Sequence, residues 1–189
     1  MYGSNAVQFI LLLRKKASFM MVRLTLFLIS ISVSLISPAQ SIEKRYSSYV
    51  SERGIVNFFR PKKLNNNVNM GVFEFDMTYV SHGDSVTVNC SINVTSVEPI
   101  VRAELINGED KKSGENVYVI YRDITKKGYI VRLSARYPLK DIQECFSNRN
   151  PLVFCFRMKN GTTCSASYSP SQWKKDSNLV TRILSSLML

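Results

Sequence analysis

Two neighbouring runs limit the fold more than any other feature: GVFEFDMTYV from Gly71 and SVTVNCSINV from Ser85. In the first, Phe73, Phe75, Met77 and Tyr79 alternate with Glu74, Asp76 and Thr78. In the second, Val86, Val88, Cys90, Ile92 and Val94 alternate with Thr87, Asn89, Ser91 and Asn93. Period two over this length means half-buried strands, because successive side chains in a strand point to opposite faces. Joining the runs through His82-Gly83 pairs Tyr79 with Val86, Met77 with Val88, Phe75 with Cys90 and Phe73 with Ile92. Both apolar sets then share one face, which a slip of one residue would destroy.

The chain downstream continues in this style. A strand is expected over Ile100–Ile106, followed by the turn-rich NGEDKKSGEN. VYVIYRD and YIVRLSARY then form a hairpin through ITKKG, with Val117, Val119 and Tyr121 facing Ala135, Leu133 and Val131. PLKDIQECF reads as a short helix with Pro138 at its start and Leu139, Ile142, Cys145 and Phe146 on one side. Asn160-Gly161 marks a last hairpin. In YSPSQWKKDSNLVTRILSSLML, Ser169 and Gln172 make a capping box, and Tyr168 and Trp173 make a hydrophobic staple. Trp173, Val180, Ile183, Leu184 and Leu187 form an apolar stripe. The expected class is α+β: a mostly antiparallel sheet of about six to seven strands, with a short inserted helix and a C-terminal amphipathic helix on the sheet. The alternative is a β-sandwich with a terminal helix.

The N-terminal side reads differently. Met21-Val22-Arg23 is a cationic lead, Leu24–Ile36 is an apolar run of 13 residues, and Ser37-Pro38-Ala39 offers a small-residue cut. This is the pattern of a cleaved secretory signal, and the run is short against the roughly 20 residues a bilayer span needs. Residues 1–39 are therefore expected to be a start assigned too early followed by a signal peptide. Residues 40–70, with RPKKLNNNVN, are expected to be a poorly structured segment or linker, and 71–189 a single β-rich domain. Export makes the expected address periplasmic or extracellular. An uncleaved N-terminus would instead anchor the chain, and a cleaved one leaves no stable membrane span.

Charge narrows the partners. Four of the 25 basic residues and none of the 14 acids lie ahead of position 40, so the remainder carries a net +7. Lys62-Lys63, Lys111-Lys112, Lys126-Lys127 and Lys174-Lys175 stand apart along the chain. The pairs at 111–112 and 126–127 fall at opposite ends of one expected strand, about 25 Å apart. They do not form the compact patch a nucleic-acid binder needs. No nucleic acid is expected, and the partner that such charge allows is an acidic polymer or a cell-envelope surface.

Four cysteines in an exported chain favour a disulfide. A two-residue turn at Asn160-Gly161 would set Cys164 opposite Arg157 and Cys155 opposite Ala166, on one face but diagonal and too far apart to bridge. The expected bridge therefore joins Cys145 to Cys155 or Cys164, with Cys90 a buried small hydrophobe. His82 is the only histidine and lies in a turn. Glu74 and Asp76 lie on the outward face beside Asn89 and Ser91, which reads as solvent-facing polarity. Asn89, Asn93 and Asn160 fit the glycan-acceptor triplet. No catalytic residues, metal ligands or cofactor are expected. The expected function is a non-enzymatic binding or structural domain of the envelope. The rivals are a small exported hydrolase or thiol enzyme built on Cys155 or Cys164 with His82, and an N-terminally anchored protein.

Overall fold

The structure, a computed structural model, describes residues 44–96 and 98–187. The chain divides into two units, Met1–Lys44 and Arg45–Leu189, and every element below belongs to the second. The expected signal peptide and early start lie outside the described residues.

Eleven strands and two helices follow in order: β1 Tyr46–Ser51, β2 Gly54–Leu64, β3 Asn66–Val68, β4 Phe73–Val80, β5 Ser85–Val94, β6 Ile100–Asn107, β7 Asp110–Ser113, β8 Glu115–Thr125, β9 Gly128–Pro138, α1 Leu139–Ser147, β10 Val153–Met158, β11 Thr163–Ser167 and α2 Pro170–Ser186. They build two antiparallel sheets. One has the order β1-β2-β4-β5-β9-β8 and the other β3-β11-β10-β6-β7. The chain is thus α+β and mostly antiparallel, with more strands than the period-two count suggests. The segment expected to be a linker instead contributes β1, β2 and β3. Its signal is hidden because β2 is irregular: Asn57 takes an inward position, and a register shift between Phe59 and Lys62 carries Pro61. A bulge is one of the few places in a sheet that tolerates proline.

The β4–β5 pairing is the one the alternation predicts, from Phe73 opposite Ile92 to Tyr79 opposite Val86. Phe73, Phe75, Met77, Val86, Val88 and Ile92 are all at most 2 % exposed. Their face meets the second sheet through aromatic rings: Phe75 and Phe154 lie 4.5 Å apart between centroids, and Phe73 and Phe154 5.0 Å. The β8–β9 hairpin keeps the expected pair Val119–Leu133 but shifts register on both sides, so Tyr121 faces Arg132 and not Val131. The shift puts Tyr118 and Tyr121 on the outward face with Ser134 and Arg132.

The last hairpin slips by one residue from the two-residue turn. Gly161 N–H donates to Met158 O at 3.0 Å and Met158 N–H to Thr162 O at 2.8 Å, closing a three-residue loop. The Asn160 side chain holds that loop by accepting from Thr162 N–H at 2.9 Å, and Gly161 takes φ +87°. Cys164 therefore faces Phe156, and Cys155 faces Ser165.

The helix α2 carries the expected capping box, with Gln172 N–H on Ser169 Oγ at 3.4 Å. Tyr168 and Trp173 close the staple, their rings 5.1 Å apart and edge to face. The buried side of α2 includes the expected Trp173, Val180, Ile183 and Leu184, and also Asp176 and Ser177. Lys62 Nζ lies 3.0 Å and Arg45 Nη2 3.4 Å from one oxygen of Asp176, to which the Tyr168 hydroxyl donates at 3.3 Å. That carboxylate is 6 % exposed, so it is paired as burial of a charge demands.

Candidate binding cleft

The cysteines named for a bridge and for the rival thiol chemistry are placed as follows. All four cysteines are free, and the bridge expected from Cys145 to Cys155 or Cys164 is absent. The slipped register also parts the two candidate partners, expected on one face: Cys164 points inward beside Phe156 and Cys155 outward beside Ser165. Burial pushes the Cys145 thiol up to about 12 and the Cys164 thiol up to about 11, and it raises Cys90 and Cys155 as well. A thiol so shifted holds its proton at neutral pH and is a poor nucleophile. His82 is exposed in the β4–β5 turn with φ 63°, and among the described residues it makes no hydrogen bond or ion pair.

Asp76 departs from the solvent-facing polarity expected of it. The strand places it on the outward face beside Asn89, as expected, yet it is 1 % exposed. Asn89 Nδ2 donates to one of its oxygens at 2.7 Å and the Arg132 guanidinium pairs with the other, while Arg132 also reaches Ser91 Oγ at 2.9 Å. The arginine comes from β9, which period-two reading of β4 alone does not bring alongside. Of the glycan-acceptor asparagines, Asn89 is thus engaged by Asp76, and Asn160 is exposed in its turn.

The lysine pairs are put to separate uses. Lys62 serves Asp176, and Lys112 bridges Asp141 and Glu144 of α1 at 3.2 and 2.6 Å, which holds the Glu144 carboxyl below its ordinary range. Lys174 faces a cleft of about 850 Å³ between α2 and the segment that leaves α1. Its floor is Phe146 and Trp173, with ring centroids 5.5 Å apart. The two walls are fastened to each other. Trp173 Nε1–H donates to Asn148 O at 3.2 Å, and Thr181 Oγ1–H to Phe146 O at 3.1 Å. These bonds satisfy carbonyls that the end of α1 leaves without helical partners.

The rim is cationic. Arg149 stands on the α1 side and Lys174 and Arg182 on α2; no carboxylate lines the cleft among the described residues. None of the three cations has a hydrogen-bond or ion-pair partner among those residues. Asn148 and Asn178 add amides. A second cleft of about 850 Å³ lies by Asn69–Val72 and Asn93–Ser96, with Lys127 its one charged lining residue. Sequence reading noted the pair at 174–175 but could not place Arg149 across from it. The spacing 174, 178, 182 on one helix was the legible half of the signal.

Among the described residues no three potential ligands cluster for a metal ion, and no helix is long and apolar enough to cross a membrane. No family model, curated protein or solved structure matches this chain.

Proposed function

We propose that the chain is an exported, non-enzymatic binding domain of the cell envelope or exterior, and that its ligand site is the cleft between α1 and α2. The observation that carries this reading is the cleft itself: its walls are fastened by side-chain hydrogen bonds, while three cations and two amides on its rim stand ready for a ligand. Pre-formed concave sites with a few converging polar groups are where small ligands and polymer segments bind. The buried thiols, raised above their ordinary range, favour binding over thiol chemistry. The apolar run Leu24–Ile36 and the small residues Ser37-Pro38-Ala39 that follow it support export.

The test combines address and site. Intact mass of the protein from its own cells is expected to begin near Gln40 in the extracytoplasmic fraction. Asn178→Trp, which fills the cleft from an exposed position, is expected to abolish binding of the chain to envelope material from those cells without altering its thermal melt. A cytosolic full-length product, or undiminished binding by Asn178→Trp, overturns the proposal.

A further inference from the structure

The cleft assigns its own ligand chemistry. Resting on the reading of this cleft as the binding site, we infer that it takes an acidic glycan: a linear carbohydrate whose carboxylates are separated by neutral, hydroxyl-bearing units. Lys174, Asn178 and Arg182 are exposed and stand four residues apart on α2. A helix rises about 1.5 Å per residue, so cation, amide and cation follow one another at roughly 6 Å steps along a single ridge, with the two charges about 12 Å apart. A carboxylate on each cation leaves the intervening unit beside an amide, which both donates to and accepts from hydroxyls. Arg149 faces this ridge from the other wall, and its planar fork suits bidentate capture of a carboxylate.

The same geometry disfavours a nucleic acid. A nucleic-acid strand carries a charge on every unit, whereas the ridge sets an amide between its two cations, so the phosphate between them would go unmatched. Single strands are held by stacking on aromatic faces. The aromatics of this cleft, Phe146 and Trp173, are 2 % and 3 % exposed and form its sealed floor. Charge complementarity is one-sided as well. The one acid of α2, Asp176, is turned inward and satisfied by Arg45 and Lys62, leaving no negative group of that helix at the cleft.

The test is calorimetric titration of the intact chain with a hyaluronan oligosaccharide, in which uronate units alternate with neutral amino-sugar units, with the carboxyl-reduced neutral form of the same oligosaccharide, and with a single-stranded oligonucleotide of equal charge. Binding to the hyaluronan oligosaccharide is expected, weakened by added salt. The reduced sugar and the oligonucleotide are expected to bind at least tenfold more weakly. Arg149→Gln, Lys174→Gln and Arg182→Gln each are expected to cost roughly five- to tenfold in Kd, the scale of one exposed charge-assisted contact. All three side chains are exposed, so their variants should keep the parent melting temperature, and Lys175→Gln, off the cleft, should bind like the parent. Equal affinity for the neutral sugar overturns the acidic assignment while leaving the cleft a binding site. Tighter binding of the oligonucleotide overturns it in favour of nucleic acid. Hyaluronan binding that the three variants leave intact places the site elsewhere, and the reading of the cleft falls with it.

Discussion

At the scale of single residues, burial decides what each polar group can do. Asp76 and Asp176 sit in different places yet follow one rule: each is nearly inaccessible and each is met by cations, Arg132 in one case and Lys62 with Arg45 in the other. Neither partnership is written in the local sequence, since the arginine of one lies 56 residues away and the lysine of the other is 114 positions earlier. The thiols follow the same logic in reverse, for burial raises them and no cation pairs closely enough to offset it, Lys112 near Cys145 included. Cys145 moves from its ordinary 9.0 up to about 12 and Cys164 up to about 11. The unfolded chain releases these protons near pH 9 and the folded chain does not, so above that pH the native state binds more protons and loses stability as pH rises. Below pH 9 the thiols add no pH dependence. Urea midpoints taken across the alkaline range should therefore decline between about pH 9 and pH 12. Replacing both cysteines by alanine should flatten part of that decline, and an unchanged slope would contradict the assignment.

At the scale of elements, the sequence was legible wherever the signal is local. The hairpin β4–β5 carries its register in its own alternation, and α2 carries a capping box and staple within six residues. It was illegible where a strand is made by its neighbours. In β1, Tyr49 and Val50 are exposed and the strand is held by its ladder to β2; its apolar residues give no clean period. The β10–β11 register turned on how Asn160 bonds Thr162, which closes a three-residue loop in place of the two-residue turn that Asn-Gly favours. Two turn glycines now separate conformation from contact. Gly161 has φ +87° with nothing within 4 Å of a notional Cβ, whereas Gly128 has φ +133° with Val94 O only 2.3 Å away. Gly161→Ala is expected to cost about 1 kcal/mol, for the left-handed backbone alone. Gly128→Ala adds a clash with the backbone of β5 and should cost roughly 3 kcal/mol, overpacking contributing about 2 of these. Chemical denaturation of the two variants side by side checks the order.

At the scale of the whole molecule, the two sheets are one cooperative object because the aromatic layer between them is shared. Phe75 touches Phe154 across the sheets and Tyr168 at the foot of α2, and Tyr168 passes the contact to Trp173 and thence to Phe146. Deleting Phe75 removes the member that joins sheet to sheet and sheet to helix. Phe75→Ala is expected to cost about 3–5 kcal/mol and to shift the melts seen by far-ultraviolet dichroism and by Trp173 fluorescence together. Separate shifts would show that α2 unfolds apart from the sheets. The cleft is itself a product of this scale: Arg149 enters from the loop after α1 and Lys174 and Arg182 from α2, so no single stretch of sequence contains the site.

The pairing of Arg45 and Lys62 with Asp176 also sets a schedule. A polypeptide leaves a ribosome or a translocation channel with its amino end first, so both cations emerge more than a hundred residues ahead of the carboxylate that neutralises them. Until α2 appears, Arg45 and Lys62 lack the carboxylate that they meet in the fold. This ion cluster therefore closes only once α2, the last of the described elements, has been made.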